Sequence, residues 1–188
     1  MTDPRPLPRT TAWSAVARCF ARTFVMLAQK DLRLPKEHVG RVIRFADGTS
    51  GRVYRETAVA GPAPADPCVL IVSFRLRRVR GPAHVAFEWE SILNTPLFAG
   101  FPGFVSKLWL AHDSRGTYRG LYEWDGPQRA EAYARALWRV LELVSEGGSI
   151  DFRVLPGLRR DDLLADPSRV DGRAQLEEGA WWRIVEAA

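Results

Sequence analysis

Cysteine, histidine and lysine are all scarce in this chain, and each scarcity removes a class of function. Of 188 residues two are cysteine and three are histidine. Cys19 and Cys68 lie far apart without metal-ligand spacing, and are expected to be reduced thiols in a cytoplasmic protein. No pairing among His38, His84 and His112 has the spacing of metal ligands, so no metal site is expected. Neither cysteine has a histidine close in sequence, so a Cys–His nucleophile is not indicated. Long apolar runs are missing too; none approaches the roughly 18 residues of a spanning helix. The N-terminal stretch does not read as an export signal, because Arg18 and Arg22 interrupt the place of its apolar region. There is no G-x-S-x-G, no phosphate loop and no dinucleotide fingerprint, and no cofactor is expected.

What the chain does have is arginine. The net charge is +5, the isoelectric point is near 9.7, and only three of the 27 basic residues are lysine. The arginines are scattered, with local clusters only at Arg75–Arg80 and Arg159–Arg160. No recognition helix or stacking-aromatic signature accompanies them, so they read as solvated surface and no nucleic-acid partner is expected. Hydrophobic residues make up 46% and charged residues 26%, the balance of a soluble globular protein with a real core and no membrane partner.

Punctuation divides the chain into three parts. The first, residues 1–67, is a proline-containing arm, an amphipathic helix and a β-hairpin. Trp13, Val16, Phe20, Phe24 and Leu27 recur every three or four positions and form the helix stripe. Such a stripe covers a core, joins a partner subunit or touches a membrane surface; core or subunit packing is the commoner use. Val39–Phe45 and Arg52–Val59 make the hairpin around Asp47-Gly48, and G-P-A-P-A-D-P (61–67) is a stiff linker.

The second part, 68–156, reads strand, helix, strand, strand, helix, strand. A strand over Val69–Val79 is followed by a helix from His84 to about Phe98, then by strands Phe104–His112 and Thr117–Trp124. A helix with stripe Ala130, Tyr133, Ala134, Leu137, Val140, Leu141 and Val144 precedes the last strand, Ser149–Leu155. The βαββαβ order predicts an α+β, ferredoxin-like antiparallel sheet with both helices on one face. If the other face is apolar, a partner subunit's sheet is its natural cover. The third part, 157–188, is a polar tail ending in Trp181, Trp182, Ile184 and Val185, expected to dock as an edge strand or a helix.

Alternation along the two middle strands gathers one face. Val105, Lys107, Trp109 and Ala111 share a side of the first; Tyr118, Gly120, Tyr122 and Trp124 share a side of the second. A symmetric turn at Asp113–Gly116 pairs Lys107 with Tyr122 and Trp109 with Gly120, leaving room at the glycine for the indole or for something bound on it. Burial among rings would lower the Lys107 pKa and make it a proton donor, base or anion holder. Alternatively it pairs with Glu88 or Glu90, or snorkels to an edge. His84 opens its helix with Glu88 one turn on, a pair suited to acid–base work or simply a surface pair. His112 and Asp113 read as exposed turn residues, and Trp89, Trp109 and Trp138 as core or ligand box.

The run F-P-G-F-V-S-K-L-W-L, then G-T-Y-R-G-L-Y-E-W and a helix with A-x-x-Y, resembles the YdhR-like monooxygenases. These belong to the wider dimeric α+β-barrel group with the antibiotic-biosynthesis monooxygenases. The resemblance covers about residues 69–156; the hairpin and the tail lie outside it. It implies a homodimer with sheets face to face and a pocket between sheet and helices. It maps Lys107, Trp109, Tyr118, Tyr122 and Trp124 onto the motif. Some members oxidise aromatic, polyketide-like compounds with O₂ and no bound metal or flavin; others are lyases or isomerases, bind haem, or have no known activity. The expectation is a cofactor-independent oxygenase of secondary metabolism. Its apolar aromatic or enolisable substrate would be bound by Trp89, Trp109, Tyr118, Tyr122 and Trp124, with Lys107 and His84 catalytic. The alternatives are a non-catalytic ligand-binding or scaffold protein, and a lyase, isomerase or haem protein with His84 or His112 as axial ligand.

Overall fold

A computed structural model of the chain describes residues 6–77, 98–170 and 180–188. The N-terminal part holds helix α1 (Arg9–Ala28) and strands β1 (Leu32–Arg33), β2 (Val42–Phe45) and β3 (Ser50–Val59). Next come β4 (Pro67–Arg75), β5 (Phe104–Leu110), β6 (Thr117–Asp125), α2 (Pro127–Leu141) and β7 (Asp151–Pro156). The tail carries α3 (Arg160–Ala165), a 3-10 turn (Pro167–Val170) and β8 (Ile184–Ala187). The helix expected from His84 lies, up to residue 97, outside the described residues.

Local chemistry sets the turns. Asp47 Oδ1 accepts from the Thr49 amide at 3.0 Å and its hydroxyl at 2.6 Å, while Gly48 takes φ +79°, and the expected β2–β3 hairpin closes there. Asp113 Oδ1 accepts from the amides of Arg115 and Thr117 at 2.8 and 2.9 Å, with Gly116 at φ +75°. This four-residue turn joins β5 to β6 symmetrically. Pro127 opens α2, where a missing N–H costs nothing.

The strands form one sheet in the order β7-β4-β6-β5-β3-β2-β8, with β1 also on β3. Its first four members are the fourth, first, third and second strands of the βαββαβ unit, all antiparallel neighbours. That arrangement is the ferredoxin-like α+β sheet. The hairpin extends it through β3, which pairs with β5, and the C-terminal segment adds β8 beside β2. β4 lies between β7 and β6 and is buried on both faces from Cys68 to Ser73, as its continuous apolar run required.

One face of the sheet (Cys68, Leu70, Val72, Trp109, Tyr122, Trp124) packs under α2 through Ala130, Tyr133, Ala134 and Leu137. The opposite face is apolar as well: Val69, Ile71, Leu108, Leu110 and Leu121. It was expected to meet a partner's sheet. Instead the chain's own tail covers it with Leu158, Leu163, Leu164, Val170 and Trp182.

Two local readings change. Helix α1 turns Ala12, Val16, Cys19 and Thr23 inward rather than the larger stripe, of which only Val16 is buried. The reason is close approach: a Cβ on Gly100 would lie 2.2 Å from the Cys19 carbonyl oxygen, so only small side chains fit this seam. Arg160, expected on solvated surface, is buried where the tail's α3 meets the sheet, against Glu56 and Ser106. Cys19 and Cys68 are buried and not joined in a disulfide, and burial pushes the Cys19 thiol up to about 11 and that of Cys68 up to about 12. No described helix is long and apolar enough to cross a membrane.

Candidate active site

The register at the centre of the sheet is the one the symmetric turn dictates: Lys107 opposite Tyr122 and Trp109 opposite Gly120. Lys107 Nζ lies 3.1 Å from the Trp109 ring centroid, 4.6 Å from Phe98 and 4.7 Å from Tyr122. Only 6% of the residue is exposed. Among the described residues it forms no ion pair, and the three ring faces make up only part of the hydration an ammonium would lose. Burial, and secondarily the nearby Arg55 guanidinium, hold the amine well below the usual lysine range. The shift favours the uncharged amine over the ring face.

Its neighbours are fixed by their own contacts. The Trp109 indole N–H donates to Thr57 Oγ1 at 3.1 Å, and the Arg55 guanidinium lies 5.0 Å from the centroid of the same ring. Tyr133, from α2, donates its hydroxyl to that of Tyr122 at 3.3 Å. Burial raises the pKa of both phenols, so neither supplies a phenolate near neutrality. Phe98 stands edge-on to Trp109 at 5.3 Å and to Phe104 at 5.1 Å.

The remaining expected site residues separate. Trp124 packs on Tyr133 at 4.8 Å and Phe104 at 5.6 Å, one layer further along the cluster. Tyr118 stacks on Phe74 at 5.8 Å and stands edge-on to His112 at 5.6 Å near the hairpin turn. His84 and Trp89 lie outside the described residues, as do Glu88 and Glu90. Val105 does not share the aromatic face: a bulge between Phe104 and Ser106 puts Phe104 there in its place. The space expected above Gly120 is taken by Tyr122, whose Cε2 would sit 2.7 Å from a Cβ built on the glycine. Asp113 is a buried anchor rather than an exposed turn residue, accepting from Arg119 at 2.8 Å.

Four contributors were missed: Arg55, Thr57, Phe98 and Tyr133 as a hydrogen-bond partner. Arg55 and Thr57 sit on β3, and only the pairing of β3 with β5 sets them opposite Trp109 and Lys107. The alternation of β3 was legible; the edge it would join was not.

A buried polar cluster occupies the other face. Glu56 receives Arg160 Nη2 at 2.8 Å and lies 3.1 Å from His38 Nδ1, and Arg160 also donates to Ser106 Oγ at 2.9 Å. It fastens α3 and the loop before β2 onto β3 and β5. Among the described residues no cluster of acidic, histidine and cysteine side chains could hold a metal ion.

No family model and no curated protein matches the chain. Among solved structures it is similar to a ferredoxin-fold protein from Listeria monocytogenes described as related to antibiotic biosynthesis monooxygenases. Identity there is 14% and the TM-score 0.41, over 60% of this chain and 66% of that one. A monooxygenase-like protein of Listeria innocua gives 15% identity and a TM-score of 0.39, over 60% and 67%. An anthrone oxidase-like protein gives 17% and 0.34, over 57% and 53%. The chain thus spans about two thirds or less of these neighbours' lengths. The class of the chain is ferredoxin-like α+β, and it rests on the strand order and register above.

Proposed function

We propose that the chain is a cofactor-independent oxygenase acting on an apolar aromatic or enolisable, polyketide-like substrate. The observation that carries the reading is the buried Lys107 amine against Trp109, Phe98 and Tyr122. Burial that lowers the amine's pKa leaves more of it unprotonated and able to take a proton, and rings around it favour a flat apolar partner. In the proposed reaction Lys107 takes a proton from an activated CH₂ of the substrate. Arg55, the cation beside the amine, would offset the enolate charge. The carbanion adds O₂ to give a hydroperoxide, and loss of water leaves a ketone or quinone oxygen. One O₂ and one CH₂ become one C=O and one water, with no external reductant. His84 is proposed as a second acid–base group, and Trp89 as a further wall.

The test is O₂ uptake with a panel of enolisable polycyclic phenolic ketones. Uptake should match substrate consumed, one for one, and Lys107→Met should slow it about a hundredfold or more. Undiminished uptake in that variant would overturn the role of the lysine. One observation favours a second reading, a non-catalytic binding protein: the Tyr122 ring already fills the space over Gly120. Saturable binding of the same compounds without O₂ uptake would favour it.

A further inference from the structure

Helix α1 buries one stripe and leaves its larger apolar side chains outside. Trp13 is 46% exposed, Phe20 37%, Phe24 62% and Leu27 47%. Counting about 100° per residue, these four form a line roughly 80° around the helix from the buried Ala12–Val16–Cys19–Thr23 line. Arg18 and Arg22 lie on the opposite flank. Between the two flanks lie Ala17, Ala21 and Ala28 together with Thr10, Ser14 and the 53%-exposed Val25, small or medium side chains that let the helix lie flat against a surface. Exposing three aromatic rings and a leucine along one helix costs hydration free energy unless something covers them.

The charge pattern says what does. From residue 4 to residue 30 the chain has five basic residues (Arg5, Arg9, Arg18, Arg22, Lys30) and no acidic one. A second copy of the chain on this stripe would set two acid-free helices side by side, and their like charges would oppose the contact. A surface that is apolar within and anionic outside complements both features. Trp and Phe enter the acyl boundary while flanking arginines remain at headgroup level.

We infer that α1 docks the protein in plane on an anionic lipid bilayer surface, through Trp13, Phe20, Phe24 and Leu27, with Arg18 and Arg22 on the headgroups. The helix is then a peripheral anchor, outside the Lys107 site and independent of its chemistry.

Co-sedimentation of the full chain with vesicles tests this. The protein should pellet with phosphatidylcholine vesicles containing phosphatidylglycerol, far less with phosphatidylcholine alone, and should be released by molar salt. Arg18→Gln with Arg22→Gln should weaken binding about twenty-five-fold, near fivefold per arginine. Trp13→Ser with Phe24→Ser should abolish it with at most a small change in melting temperature, since these are the two most exposed rings of the stripe. No pelleting with anionic vesicles overturns the inference. So does equal binding by the serine variant. A concentration-dependent dimer dissolved by the same serines, without vesicle binding, replaces the bilayer with a second copy.

Discussion

Arg160 and Glu56 are 104 residues apart in sequence and 2.8 Å apart in space, each almost fully buried. The contact ties the tail to the extension strand β3. A buried ion pair adds little net stability when complete, but removing Arg160 leaves the buried Glu56 carboxylate with only His38 facing it. Arg160→Met should therefore cost about 3–5 kcal/mol in urea unfolding. Adding Glu56→Leu should recover part of that loss, and a single-variant loss below about 1 kcal/mol would mean the pair is not buried as described.

Gly120→Ala should disturb the aromatic face directly. The new methyl would meet the Tyr122 ring at 2.7 Å, so the ring must swing or the strand must shift. Overpacking of this kind costs about 1–3 kcal/mol. The check is a lowered melting temperature with altered near-ultraviolet dichroism from the Tyr122–Trp109 region. An unchanged melt and spectrum would mean that the space above the glycine is open.

Thr57→Val keeps shape and removes the acceptor of the Trp109 indole N–H. A buried donor left unmet costs about 1–3 kcal/mol. Thr57→Ser keeps the hydroxyl and should lose less, so chemical denaturation of the two variants separates the hydrogen bond from the packing.

Lys107 gives a pH dependence of definite sign. Its amine is neutral in the folded chain well below the pH at which it protonates when unfolded. Between those two pKa values the unfolded state binds the extra proton, so stability falls as pH falls, by about 1.4 kcal/mol per pH unit. Lys107→Met removes that slope. The variant should be more stable than the parent near neutrality, with the difference shrinking as pH rises toward about 10. Parallel unfolding curves at every pH would mean that Lys107 is charged in the folded state.

The elements and the central register were legible because they are local. Alternation in Ser106–Leu110 and Thr117–Trp124, with the Asp113–Gly116 turn, is enough to pair Lys107 with Tyr122. The Val105 bulge was not legible, since a bulge adds one residue without altering composition. Nor was the inward stripe of α1. Hydrophobicity selects Phe20 and Phe24, whereas the seam at Gly100 selects the small residues beside them.

By itself the sequence determined the four strands of the ferredoxin-like sheet and the helix before the last of them, the hairpin at Asp47-Gly48 and the company Lys107 keeps across the β5–β6 turn, because each follows from periodicities and turn chemistry within a few residues. Only the tertiary structure decided that β3 brings Arg55 and Thr57 to the same face, that Arg160 is buried on Glu56, and that the tail rather than another sheet covers Ile71 and Leu121. Those contacts join segments some 50 to 100 residues apart. Which apolar surface meets which is a matter of closure and fit, and no window of sequence carries it.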